Sequence, residues 1–288
     1  MADYILVDTV DKARDTIHAL QSRQQLSVDC EGVSLGRTGE LCLLQIAIPQ
    51  RVYLFDIFVL REKVFDIGLR EILERESCVK LFYDCREDCS ALKHQYNVEV
   101  KGIEDIQLLA LLNMKLSGKR WQFVSGLQKC MSYHLGDCGF SGAEKARVHT
   151  ALDNDKGLWR QRPISQDLLR YAAKDVMYLP NLKDKILSRI SVAPRSSVLD
   201  TIRYASKRYA DFMINNEGPE DSPYIGTARL PERIIPNMVR RGGVISYTPF
   251  EDTSVKCRSC FWYTGTTRSD GQCNRCYDLY VEKLRAAR

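Results

Sequence analysis

Asp29 and Glu31 stand two apart in LSVDCEG, Asp84, Glu87 and Asp88 cluster in FYDCREDCSAL, and Tyr171 and Asp175 stand four apart in RYAAKDVMYL. Carboxylates gathered from separate segments suit one chemistry above others, because they are hard oxygen ligands for a hard divalent cation such as magnesium or manganese. In LSVDCEG a period of two sets Leu26, Val28 and Cys30 on one strand face and Ser27, Asp29 and Glu31 on the other. Two neighbouring carboxylates repel unless they share a proton or a cation bridges them. The four-residue spacing puts the Tyr171 phenol and the Asp175 carboxylate on one helical face. Each piece alone also has a plainer reading: a solvated strand end, a run of helix N-terminal acids, and a core tyrosine next to a surface acid.

A second constellation lies near the C-terminus. Cys257-x2-Cys260 and Cys273-x2-Cys276 are separated by twelve residues, and two such thiolate knuckles fit one tetrahedral, structural zinc ion. Gly265 and Gly271 permit the tight return between them, and a segment so short and polar has little core in which to bury four thiols without a metal. Around the quartet, Arg258, Arg268 and Arg275 interleave with Phe261, Trp262, Tyr263 and Tyr277. That mixture suits phosphate contact and base stacking, and equally suits an architectural or protein-contact role.

The elements that must position the acids read as follows. YILV, LSVDCEG, LCLLQIAI and RVYLFDIFV are strand-like, with a polar and apolar helical run from Thr9 to Gln24 between the first two. Next come a helix near Leu69–Arg75, the strand VKLFY, a helix through Ala91–Tyr96, a strand near Val98–Val100 and a helix through Leu108–Met114. The pattern predicts an α/β fold whose mixed sheet starts antiparallel and continues parallel. Residues 121–190 read as mostly helical, interrupted by a loop over LGDCGFSGAEKARVHTALDNDKG, and end in a long helix from Ser165, as N-cap, to Ile190, kinked at Pro180. VAPRSS is linker-like, Val198–Ile214 is helical, and NNEGPEDSPYIG is an exposed connection.

A chain of 288 residues with 44% hydrophobic content can bury one domain of about 150–200 residues plus a smaller part. The expected boundaries are 1–192 for the main domain, 193–250 for a helical and linker segment, and 251–288 for the zinc ribbon. No run approaches the ~20 apolar residues of a membrane span, and the N-terminus lacks a leader pattern, so a soluble protein is expected. Eleven cysteines, with Cys30, Cys42, Cys78 and Cys130 inside apolar segments, point to buried thiols in a reducing, intracellular setting, cytoplasmic or nuclear. Residues 1–192 carry 27 basic and 26 acidic side chains and residues 193–288 carry 15 and 11, so most of the net charge of +5 sits in the last third. Such an excess fits a polyanionic partner or an ordinary solvated surface.

Taken together and in order, the three acidic segments resemble the DEDD superfamily of 3′–5′ exonucleases, in the branch with a tyrosine in the third motif. VDCEG with LGRTGELCLLQIA matches the first motif, KLFYDCREDCSAL the second, and GLWRQRPISQDLLRYAAKDVMYLP the third. The likeness covers residues 1–190 and is greatest to the ribonuclease D-like and Egalitarian-like members; the cysteine-rich tail lies outside the usual domain. The resemblance implies a ribonuclease H-like fold, a catalytic pair of Mg2+ or Mn2+ ions held by Asp29, Glu31, Asp88 and Asp175, and Tyr171 orienting or helping to deprotonate the attacking water. It implies stepwise hydrolysis from the 3′ end of a nucleic acid, RNA before DNA. Asp88 fits the second-motif position better than Asp84, and Tyr83 stands where many relatives have histidine. Arg37, Lys119, Arg120, Trp121 and Arg162 are candidates for phosphate contact or stacking, whereas Trp159 and Pro163 are expected to position the last helix. The competing reading is a catalytically silent RNA-binding scaffold or adaptor of the Egalitarian-like type, with the ribbon recruiting a protein partner. Retention of all four acids opposes silence.

Overall fold

The computed structural model describes residues 4–117, 124–136, 142–191 and 193–215, with the short strands Met238–Arg241, Val244–Tyr247, Val255–Lys256 and Tyr263–Thr264 and residue 269. A six-stranded mixed sheet carries the fold: β1 (Tyr4–Val7), β2 (Gln25–Val33), β3 (Glu40–Ile48), β4 (Arg51–Asp56), β5 (Val79–Phe82) and β6 (Ile103–Asp105), in spatial order β1-β4-β3-β2-β5-β6. The expected meander is present, with β2, β3 and β4 antiparallel, and β5 and β6 continue from β2 in parallel.

Helices cover both faces. In chain order they are α1 (Val10–Leu20), α2 (Ile57–Leu60), α3 (Arg70–Glu74), α4 (Arg86–Tyr96), α5 (Ile106–Leu116), α6 (Leu127–Leu135), α7 (Gly142–Asn154), α8 (Gln166–Met177), α9 (Leu179–Ser188) and α10 (Arg195–Asn215). Side chains close several of their first turns: Thr9 accepts from the Lys12 amide, Ser165 from that of Leu168, and Asp105 from those of Gln107 and Leu108. Leu26, Val28 and Cys30 of β2 enter the larger core with α1, α5 and α9. Leu43, Ala47 and Leu54 form a second core beneath α8, with Trp159, Leu169, Ala172 and Val176. Cys30, Cys42, Cys78 and Cys130 are all buried free thiols, as their apolar settings predict.

Three local expectations are corrected. Val98–Val100 is not a strand: Asn97 adopts a left-handed conformation and the Val98 amide reaches back to the Leu92 carbonyl, so the segment closes α4, and pairing resumes only at Ile103. Part of the loop assigned after Leu135 is the 13-residue helix α7, whose AEKARVHTALDN is rich in helix formers and carries Val148 and Leu152 on one face. The long helix from Ser165 is two helices meeting at Tyr178, with Pro180 in the first turn of α9, where its missing N–H leaves no bond unmade.

α10 packs on the sheet. Its Val198, Ile202, Ala205, Tyr209 and Ala210 lie in the larger core, and Glu104 of β6 pairs with Arg203 of α10 and Lys183 of α9. Among the described residues no helix is long and apolar enough to cross a membrane.

Candidate active site

β2 presents its acids as the alternation requires: the side chains of Ser27, Asp29 and Glu31 project on the face that carries α8. The register shifts between Glu31 and Gly32 and pairing then continues through Val33, and an irregularity directly after a functional side chain re-aims it. Gly32 is required there, because a Cβ would stand 2.1 Å from the Glu40 carbonyl oxygen. α8 delivers Tyr171 and Asp175 from the opposite side, both buried.

Oxygens of Asp29, Glu31 and Asp175 lie within 4.8 Å of one another. Asp88, in the first turn of α4, lies outside this triad but feels its charge. Burial pushes the Asp29 carboxyl well above the usual carboxylate range, and the Asp175 charge adds to the shift. Glu31 is raised by burial and by Asp29, and Asp88 by burial and by Asp29. Without a cation, then, the cluster binds protons where ordinary acids have lost them.

One cation of the chain already faces the group. Lys145 of α7 places Nζ 3.1 Å from Asp175 Oδ1 and 5.1 Å from the centre of the Tyr171 ring. It lowers the carboxyls of Asp175, Asp29 and Glu31, against the larger effect of burial. His149, one turn further on, meets the Tyr171 ring edge-on at 5.7 Å, and the Trp159 ring lies 6.5 Å away on another side. Burial and the Glu31 charge hold the Tyr171 phenol well above its ordinary value, so it remains a hydrogen-bond donor.

Asp29, Glu31, Tyr171, Asp175 and Lys145 line a cavity of about 260 Å³, together with Cys30, Tyr83, Asp84, Gln107, Gly126, Leu127 and Leu179. Asp84 is the acid that the second segment left unsorted from Asp88. Its backbone is left-handed at φ 70°, and its carboxylate grips Arg86 through two bonds of 2.6 and 2.7 Å, so its charge is spent on a buried guanidinium. Tyr83 turns its hydroxyl to the Ser125 carbonyl at 2.6 Å.

The two described candidates for substrate contact, Arg37 and Arg162, do not line this cavity. Arg162 is bound to the buried Asp56 by two bonds of 2.5 and 2.6 Å and to the Trp159 and Gln161 carbonyls, so it ties the segment before α8 to the end of β4. Arg37 donates to the Ile214 carbonyl at 2.9 Å near the end of α10. Trp159 is buried under α8, as expected of a positioning residue. Lys119, Arg120 and Trp121, and the quartet Cys257, Cys260, Cys273 and Cys276, lie outside the described residues. Sequence reasoning missed Lys145, His149 and Gln107, none of which stands at a short spacing from an acid of the triad.

A model of the 3′–5′ exonuclease family matches residues 4–191. The Xenopus laevis piRNA biogenesis protein EXD1 is 29% identical over 221 residues, which cover 76% of this chain and 48% of that protein. The Saccharomyces cerevisiae exosome complex exonuclease RRP6 is 25% identical over 207 residues, or 72% of this chain and 25% of that one. The matched stretches thus span less than half the length of these relatives. In structure, Trypanosoma brucei RNase D in complex with RNA U12 aligns with a TM-score of 0.65 and 21% identity, over 96% of this chain and 87% of that chain.

Proposed function

The chain belongs to the 3′–5′ exonuclease family, and we propose on that premise that it is a divalent-metal-dependent exonuclease of the tyrosine branch that hydrolyses RNA from its 3′ end. The observation that carries the reading is the meeting of Asp29, Glu31 and Asp175, from a strand and a helix, within 4.8 Å in a small cavity, with a protonated phenol and an ammonium beside them. A structural role does not require three acids at that distance with their carboxyls raised by burial. The site that Lys145 faces therefore suits a cation held by oxygen ligands.

Asp29, Glu31, Asp88 and Asp175 would hold two magnesium or manganese ions, which stabilise the charge on the attacking and leaving oxygens of an in-line displacement. Tyr171 orients the attacking water or helps to deprotonate it, through its hydroxyl beside Asp175. Lys145, whose Nζ lies 3.1 Å from Asp175 Oδ1, would be placed to pair with a non-bridging phosphoryl oxygen. The choice of RNA follows the relatives, one named an exosome exonuclease and one structure holding RNA. On the same reading residues 1–192 form the catalytic domain, residues 193–250 add a segment whose helix α10 docks on it, and residues 251–288 form a ribbon on one zinc ion. The ribbon offers its basic and aromatic side chains to nucleic acid or to a protein partner.

The test is a time course on 5′-labelled single-stranded RNA and DNA in magnesium, manganese or EDTA, resolved on a denaturing gel. A metal-dependent ladder shortening from the 3′ end, faster on RNA and abolished by Asp29→Asn with Glu31→Gln, is expected. Intact RNA that is still bound by the protein would replace this reading with the scaffold.

A further inference from the structure

Gln107, in the first turn of α5, lines the cavity while almost wholly buried. Its Oε1 accepts from the Tyr209 hydroxyl of α10 at 2.9 Å, and its Nε2 faces the Ser125 carbonyl at 3.3 Å and, in a long contact, Asp84 Oδ2 at 3.5 Å. A flipped amide would set Oε1 against a carbonyl and a carboxylate, so the donor on α10 and the two acceptors fix the orientation chemically. The Ser125 carbonyl is held a second time, by Tyr83. It precedes Gly126 and Leu127, which line the cavity, and nothing stands within 4 Å of where a Gly126 Cβ would lie.

Tyr209 reaches the cavity by another route as well. Its ring, fully buried, lies 4.6 Å beneath the Arg86 guanidinium that clamps Asp84. α10 is in turn fastened to the sheet edge, where Ser206 Oγ accepts from the Asp105 amide at 2.8 Å and Arg203 pairs with Glu104 at 2.8 Å. Both routes converge on Asp84, and the Gln107 route alone also reaches the Ser125 carbonyl.

We propose that Gln107 and Tyr209 are positioning residues for substrate: Tyr209 locks the Gln107 amide, which with Tyr83 sets the wall of Ser125, Gly126 and Leu127 on which the terminal nucleoside of the nucleic acid rests. The inference deepens the nuclease reading and depends on it. A cavity of about 260 Å³ lies below the ~300–1,000 Å³ of sites that enclose drug-sized ligands, so it takes one nucleoside and leaves the rest of the strand outside. α10, though it falls beyond the residues that match the family model, is then a working part of the substrate site.

The test uses full-length Tyr209→Phe and Gln107→Leu. Tyr209→Phe removes one oxygen and keeps the ring beneath Arg86, so it is the variant expected to fold normally. KM and kcat are measured on labelled single-stranded RNA in magnesium, Kd by fluorescence anisotropy of the same RNA in EDTA, and Tm alongside. In Tyr209→Phe, Kd and KM should rise together about fivefold, the worth of one net hydrogen bond, with a smaller change in kcat; Gln107→Leu should do at least as much. A lowered Tm with Kd and KM unchanged in both variants would reduce the pair to fold support and overturn the proposal. Wild-type protein that neither binds nor cleaves RNA would take down the nuclease reading, and this inference with it.

Discussion

Lys145 and Asp175 form a partly buried ion pair, Nζ to Oδ1 3.1 Å, inside a group of acids that otherwise repel one another. The lysine does in the isolated chain part of what divalent cations would do in the working enzyme. Lys145→Met should therefore destabilise the protein in EDTA by on the order of 3 kcal/mol, the cost of leaving a buried charge without its partner. Magnesium should restore most of that loss, since it supplies the missing charge. Urea unfolding of both proteins with and without the metal measures it; an equal loss in the two conditions would show that the pair and the metal do not share the site.

The raised carboxyls of Asp29, Glu31 and Asp88 give a pH prediction with a definite sign. Unfolded, these groups titrate near their ordinary values of 3.8, 4.5 and 3.8. Folded and metal-free, they hold protons to higher pH, so above about pH 4 the native state binds more protons than the unfolded one. Stability then falls as pH rises, up to the folded pKa values. His134, lowered to about 4, and Lys80, lowered to about 8, act in the opposite sense, but a variant carrying Asp29→Asn and Glu31→Gln retains both. Relative to that variant, the wild type in EDTA should lose stability as pH rises above the ordinary carboxylate values, and magnesium should flatten the difference because it binds the deprotonated acids. Parallel Tm curves in EDTA would contradict the raised pKa values.

The acids were legible because each lies in a segment whose period is plain. Alternation in LSVDCEG placed Asp29 and Glu31 together, and the i, i+4 spacing did the same for Tyr171 and Asp175. Lys145 was not legible, since it comes from α7, whose apolar stripe is weak enough to read as loop, and since it meets Asp175 across 30 residues. Gln107 was hidden for a similar reason: its partner Tyr209 is 102 residues away. Local periodicity reports which face a side chain takes. It is silent on which distant element arrives there.

Arg162, a candidate for substrate contact in the sequence, makes a bidentate pair within the fold. Its partner Asp56 is almost wholly buried and also caps α2 through the Val59 amide at 3.1 Å. Arg162→Ala should cost about 3–5 kcal/mol of stability, as loss of one member of a buried pair does, and lysine should rescue little, lacking the second bond of the fork. RNA affinity of the folded fraction should not change. A stable variant with weakened RNA binding would return Arg162 to the substrate site.

The position of α10 bears on where the catalytic unit ends. A chain stopped at residue 192 would lose Val198, Ile202, Ala205, Tyr209 and Ala210 from the larger core. At ~1.5–3 kcal/mol for each large apolar side chain, Ile202 and Tyr209 alone approach the lower end of a typical total stability of 5–15 kcal/mol. A chain stopped at residue 215 keeps them. The shorter form should be less stable by circular dichroism than the longer one, because it lacks the docked α10; equal melting of the two would show that residues 1–192 fold without it.

The four C-terminal cysteines should bind one zinc ion per chain, measured by elemental analysis of protein purified without added metal. The strands Val255–Lys256 and Tyr263–Thr264 pair antiparallel, and Cys257 and Cys260 fall between them in the sequence. Cys273→Ser should abolish stoichiometric zinc, because a site of four thiolates loses a quarter of its ligands and its tetrahedral closure. On the proposed reading hydrolysis depends on oxygen ligands far away in sequence, so it should persist in that variant under magnesium, and a zinc chelator should leave the melting of the larger core in place. If chelation instead melts the whole chain in one step, the ribbon and the exonuclease fold form one cooperative unit and the zinc supports both.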